Sequence, residues 1–199
     1  MPQPAEPDRP RAVAVFCGSR AGHDPGALIA AEALGVGLAE RGIRLIYGGG
    51  RVGLMGAVAD AVLGAGGLVT GVIPEFLTRM EVAHTGLTAL HVTDSMHSRK
   101  RMMFALSDAF VTLPGGLGTL DETVEIVTWR QLGLHDKPIL LCNAGGWADL
   151  LVAALRATVT QGFASESALA LFEIFPDVAS VLARLDRVAP AAPGEAARL

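Results

Sequence analysis

Residues 109–132 read "AFVTLPGGLGTLDETVEIVTWRQL". The opening run, Ala109 to Thr112, is apolar or β-branched and suits a buried strand. Pro114, Gly115 and Gly116 end it, and the spacing predicts a helix from about Thr119 to Leu132. Strand, glycine loop and helix in that order make the repeating unit of a parallel α/β sheet. The unit recurs outward in both directions. "AVAVFCGS" (12–19) is an apolar run ending in small residues, followed by Asp24 and Pro25 as N-cap and first residue of a helix. Leu28, Ala31, Leu34 and Leu38 recur at helical spacing there, and Gly42 suits the position after the helix end. "IRLIYGGG" leads into "GLMGAVADAVLGAG", and "GLVTGVIP" is a strand stopped by Pro74. Glu75 to Gly86 reads as irregular or briefly helical, "LTALHV" (87–92) as a short strand, and "DSMHSRKRMMFALS" as a helix begun by Asp94 or Ser95. "KPILLCN" is a strand, Trp147 to Gln161 a helix, "LALFEIF" a last strand or turn, and Pro176 opens a closing helix.

This alternation predicts one Rossmann-like, doubly wound parallel sheet with helices on both faces. The domain spans 12–187, with a disordered tail at 1–11 and a flexible one at 188–199. Of the 199 residues, 51% are hydrophobic and 18% charged, which fits a compact fold rather than a disordered chain. A net charge of −4 gives no basic field for nucleic acid. The Pro-rich start "MPQPAEPDRPR" lacks the apolar centre of a signal peptide, and no uncharged stretch is long enough to span a bilayer. A cytoplasmic protein is expected. Cys17 and Cys142 fall in or beside strands and read as buried thiols.

Ligands bind such sheets beyond the carboxyl ends of the strands. That edge carries "CGSR", "YGGGRVG", "DSMHSRKR" and "LPGGLGT". Gly48, Gly50 and Gly53 have dinucleotide-fingerprint spacing, but the acidic residue expected after the next strand is missing. "GGLGT" lacks the Lys-Ser/Thr of a P-loop. Each loop alone could serve only a tight turn; two at one edge suggest a ligand cradle. Arg99, Lys100 and Arg101 stand in the first turns of their helix, where the dipole disfavours cations unless an anion is near. They point in directions about 100° apart, so Arg99, then Lys100, is expected to face a site. Thr119 and Glu122 form a T-x-x-E capping box, which would by itself account for Glu122. Glu122 and Glu125 nevertheless share one helix face. His97 reads as peripheral, and the scattered histidines form no metal set.

"PGGLGTLDE" (114–122) matches a PGGxGTxxE signature, and "MHSRK" (96–100) stands where a second motif belongs. With "CGS", "GGGRVGLMG" and "TWRQLGLHDKPI", the chain resembles the Lonely Guy (LOG) family over about residues 12–187. The family comprises cytokinin riboside 5′-monophosphate phosphoribohydrolases, often labelled lysine decarboxylases. The resemblance implies hydrolysis of the N-glycosidic bond of an adenine-type nucleoside 5′-monophosphate, AMP or an N6-prenylated analogue, to free base and ribose 5-phosphate. It implies no metal or redox cofactor, and a homodimer. It assigns Arg99 and Glu122 to catalysis. Gly115, Gly116, Gly118 and Thr119 become a phosphate loop, and Glu81, Lys100 and Thr128 further substrate contacts; Ser19, in the first loop, and Met96 are expected to touch the ligand too. "TRMEVAHTG" around Glu81 departs from the family pattern. A non-catalytic nucleotide-binding or molybdenum-cofactor carrier is the alternative; it needs the loops but not the catalytic pair.

Overall fold

Residues 11–78 and 83–190 are described by a computed structural model. The tail at 1–10, residues 191–199 and Glu81 lie outside them. Among the described residues seven strands form one sheet: β1 (Ala12–Phe16), β2 (Arg44–Tyr47), β3 (Val69–Pro74), β4 (Ala89–Thr93), β5 (Ala109–Thr112), β6 (Ile139–Cys142) and β7 (Glu173–Phe175). Their order is β4-β3-β2-β1-β5-β6-β7, every pair parallel. The chain therefore builds outward from β1 in one direction, then returns and builds outward through β5 in the other. Such a reversal leaves a crevice at the carboxyl ends of the two strands.

The helices are α1 (Pro25–Glu40), α2 (Gly53–Gly64), α3 (Met96–Ala105), α4 (Leu117–Gln131), α5 (Asp149–Thr160) and α6 (Val178–Leu185). Strand side chains alternate between the two faces. Val13, Val15 and Cys17 meet residues of α1, α2 and α6 in one core. Ala14, Phe16, Phe110 and Leu141 meet α3, α4 and α5 in the other. The central strands are buried on both faces and read as continuous apolar runs for that reason. Both cysteines are buried free thiols. The packed chain reaches Val188, which is buried in the first core.

The α1 boundaries are as the sequence foretells: Asp24 Oδ1 accepts from Gly26 N–H at 2.8 Å, and Gly42 follows the helix with φ +65°. At α5 the structure differs. A short 3-10 turn covers Ala144–Gly146 and the helix starts at Asp149, because Gly145 and Gly146 both take positive φ and delay it. No helix among the described residues is long and apolar enough to cross a membrane.

Candidate active site

The crevice at the reversal point lies between the loops that follow β1 and β5. Gly18 N–H donates to the Pro114 carbonyl at 3.0 Å, locking the two loops together. From there α4 begins earlier than expected. Gly116, not Thr119, is its N-cap: it has extended backbone (φ −97°, ψ −154°), and its carbonyl accepts from Leu120 N–H at 3.1 Å. The Thr119–Glu122 capping box is thus not formed. Thr119 is the third helical residue and Glu122 stands in the second turn, too far along to cap. No side chain caps α4, so its first-turn N–H groups at Leu117, Gly118 and Thr119 stand at the crevice without intrahelical partners. Such a helix end attracts anions.

The other glycine loop is built differently. Leu54 and Met55 at the start of α2 donate to the Gly18 carbonyl at 3.0 and 3.3 Å. Gly53 has φ +62°, and a Cβ there would collide with the Ser19–Arg20 backbone. The fingerprint-like glycines therefore seat α2 against the β1 loop, with its first N–H groups spent on the Gly18 carbonyl, whereas α4 turns its first turn to the crevice with no side-chain cap.

Arg99 comes from the opposite side. A reciprocal capping box holds the start of α3: Ser98 N–H donates to Ser95 Oγ, and Ser95 N–H to Ser98 Oγ, each at 3.2 Å. Four residues into that helix, Arg99 is 5% exposed. Its Nε donates to the Val72 carbonyl at 3.1 Å, and Nη2 to the Gly48 carbonyl at 3.4 Å. Burying a guanidinium is unfavourable unless its donors are satisfied; here strand-end carbonyls do this and fix its plane. Gly48 makes room for it, because a Cβ at that position would run into Nη2. Glu122 is 8% exposed, and its Oε1 lies 3.8 Å from Arg99 Nη2. The buried pair thus joins α3 to α4 across the floor of the crevice. Arg101, by contrast, is exposed, as the angular spacing of the three cations requires.

Ser19, Met96, Arg99, Gly116, Gly118, Thr119 and Glu122 line one cleft of about 210 Å³. A wider hollow of about 780 Å³ adjoins it and shares Gly18, Ser19, Gly116 and Leu117. Gly115 belongs to that hollow, and its carbonyl accepts from Trp147 Nε1–H at 3.0 Å. Two expected site residues stand elsewhere. Lys100 Nζ is 2.9 Å from both Asp121 Oδ2 and Glu125 Oε2. Thr128 Oγ1 donates to the Val124 carbonyl at 2.8 Å and lines a separate cavity with Leu151 and Leu155 of α5. His97 is exposed.

Sequence reasoning missed Cys17, Met55 and Leu77, which also line the smaller cleft. Cys17 is the first residue of "CGS" and Met55 lies within "GGGRVGLMG", so both stood in motifs already singled out; Leu77 carries no local signal. Burial, and then the Glu122 carboxylate, hold the Cys17 thiol far above its ordinary range, so it is not a ready nucleophile. Among the described residues no group of His, Cys, Asp and Glu could hold a metal ion.

A family model described as "Possible lysine decarboxylase" matches residues 55–185. The cytokinin riboside 5′-monophosphate phosphoribohydrolase of Rhodococcoides fascians is 42% identical over 177 residues, 88% of this chain and 89% of that protein. The enzyme of the same name from Oryza sativa subsp. japonica is 41% identical over 180 residues, covering 90% and 74%. Among solved structures, the Moco carrier protein of Chlamydomonas reinhardtii aligns with TM-score 0.66 at 22% identity, covering 88% and 95%, a likeness of fold. The decarboxylase description would require pyridoxal phosphate on a Schiff-base lysine. The chain has two lysines, Lys100 and Lys137. Lys100 is held by two carboxylates. Lys137 is buried, donating to the Phe104 carbonyl at 2.9 Å above the Phe104 ring. Neither fits that cofactor.

Proposed function

Since this chain belongs to the Lonely Guy family of cytokinin riboside 5′-monophosphate phosphoribohydrolases, we propose that Arg99 and Glu122 perform its reaction in the cleft between the β1 and β5 loops. The enzyme is an N-glycosidase: it hydrolyses a nucleoside 5′-monophosphate to free base and ribose 5-phosphate. One observation carries the assignment of residues, the buried Arg99–Glu122 pair beside a helix terminus that no side chain caps.

The 5′-phosphate sits on the first turn of α4, against Gly116, Gly118 and Thr119, with Gly115 shaping the turn. Glu122 lies five residues beyond Leu117, about 7.5 Å along the helix axis, which is the scale of a ribose 5-phosphate. Its carboxylate then faces C1′. As the C1′–N bond lengthens, the bonding electrons leave with the base and positive charge grows on the ribose. Glu122 stabilises that charge and accepts a proton from the water that attacks C1′. The departing base takes up a proton, so the reaction balances as hydrolysis. Arg99 stands between carboxylate and phosphate and holds the nucleotide in register. Ser19 and Met96 form the walls.

The finer assignments extend the same reading. AMP is accepted alongside prenylated nucleotides, the enzyme is cytoplasmic, residues 12–187 fold as one unit, and it works as a homodimer. Leu132 and Phe163, exposed at 68% and 81%, give apolar surface for such pairing. The test is chromatographic: incubate the protein with AMP and with isopentenyladenosine 5′-monophosphate and measure free base. Release of base with equimolar ribose 5-phosphate is expected; nucleotide bound but unchanged after long incubation would sink the reading.

A further inference from the structure

Lys100 follows Arg99 on α3, yet its ammonium turns away from the cleft. It bridges Asp121 Oδ2 and Glu125 Oε2, both at 2.9 Å, with only 15% of its own side chain exposed. These two carboxylates bracket Glu122: Asp121 precedes it and Glu125 lies one turn later. Lys100 therefore ties α3 to α4 at the residues next to each member of the Arg99–Glu122 pair. Carboxylates crowded on one stretch of helix repel one another, and a shared ammonium cancels that repulsion from behind Glu122. Burial disfavours the Lys100 charge, but its bonds to Glu125 and Asp121 outweigh this and raise its pKa. It stays a cation.

The separation it spans matters. At 3.8 Å, Arg99 Nη2 and Glu122 Oε1 attract without closing into a charge-assisted hydrogen bond, which would need about 2.7–2.9 Å. A slip of α3 against α4 by a fraction of a turn would close the gap or open it.

We infer that Lys100 is a positioning residue. By clamping Asp121 and Glu125 it sets the spacing of Arg99 and Glu122, and it does not touch the nucleotide. This rests on the reading that Arg99 and Glu122 break the N-glycosidic bond. The resemblance implied instead that Lys100 contacts substrate, and the two roles predict different kinetics. A lost substrate contact raises KM, whereas a displaced catalytic pair lowers kcat.

The experiment is a mutant cycle on AMP hydrolysis. Lys100→Met is expected to lower kcat about 10- to 100-fold, the effect of displacing a catalytic group by about 1 Å, with KM within about threefold of wild type. Lys100→Arg keeps a cation able to bond both carboxylates and should lose less of kcat than Lys100→Met. Asp121→Asn/Glu125→Gln removes what the lysine holds, so it also lowers kcat, and adding Lys100→Met to it costs less than about a further threefold. A KM raised about tenfold at unchanged kcat, or an equal loss from Lys100→Met in both backgrounds, overturns the clamp. If Lys100→Met does not fold, by circular dichroism, the carboxylate variant decides: unchanged kcat overturns the clamp and lowered kcat at constant KM supports it. No base release by the wild-type chain removes the parent reading and the clamp with it.

Discussion

Gly48→Ala is the smallest change that should disable this enzyme while sparing its fold. The added methyl would run into Arg99 Nη2 and stand 3.3 Å from Arg99 Cζ and 3.1 Å from Met55 Sδ. Carbon atoms in ordinary contact are about 3.5–4.0 Å apart, so the guanidinium must retreat by about 1 Å or more. The obstruction is the tip of a side chain rather than backbone, and Gly48 is not among the residues of positive φ. The cost to folding is therefore that of one weakened hydrogen bond, about 0.5–1.5 kcal/mol. The cost to catalysis is larger. Displacing a reacting or orienting group by about 1 Å loses about 100-fold in rate, or about 2.7 kcal/mol of transition-state stabilisation. The assay is steady-state base release from AMP, with urea unfolding of the same preparation. Turnover within about threefold of wild type would refute the claim that Gly48 seats Arg99 for catalysis. So would a loss of turnover matched by collapse of the fold, since the defect would then be structural.

Three further outcomes follow from particular contacts. Trp147→Phe deletes the indole N–H bond to the Gly115 carbonyl and should raise KM for nucleotide about fivefold, from about 1 kcal/mol of lost loop anchoring, with kcat little changed; initial-rate kinetics decide it. Ser95→Ala removes the N-cap of α3 and should destabilise the protein by about 0.5–2 kcal/mol in urea titration. Cys17, buried and held in its neutral thiol form, should escape iodoacetamide at pH 8 in the folded protein and react only after unfolding, as mass spectrometry can show.

Much of this was legible in the sequence because burial on both faces writes a strand as an apolar run, and β1, β5 and β6 are such runs. Arg99 was legible for another reason: a cation in a first helical turn is out of place unless something holds it, and strand-end carbonyls and Glu122 do. The start of α4 was misread because Gly116 caps with backbone alone and leaves no side-chain signature, whereas Thr119 and Glu122 show the spacing of a capping box without forming one. The true box, Ser95 with Ser98, is a serine pair that the usual Glu/Gln pattern passes over. Lys100 illustrates a different limit. Its partners are 21 and 25 positions away in the sequence, and only the packing of α3 beside α4 reveals that it faces them. Glycine spacing also misleads: the two loops look alike on paper, but the first N–H groups of α2 donate to the Gly18 carbonyl, whereas no side chain caps α4.

The most direct test of the account is Glu122→Gln assayed at saturating isopentenyladenosine 5′-monophosphate, with thermal unfolding measured in parallel. The substitution keeps the size of the side chain and removes its charge and basicity. Glu122 stands in the second turn of α4 and does not cap it, so the fold should persist, with the unfolding midpoint lowered only by the lost charge compensation of buried Arg99. Turnover should fall about 10²- to 10⁴-fold, the range for losing general-base assistance. Base release at near wild-type rate would contradict the assignment of Glu122 and, with it, the mechanism built on the Arg99–Glu122 pair.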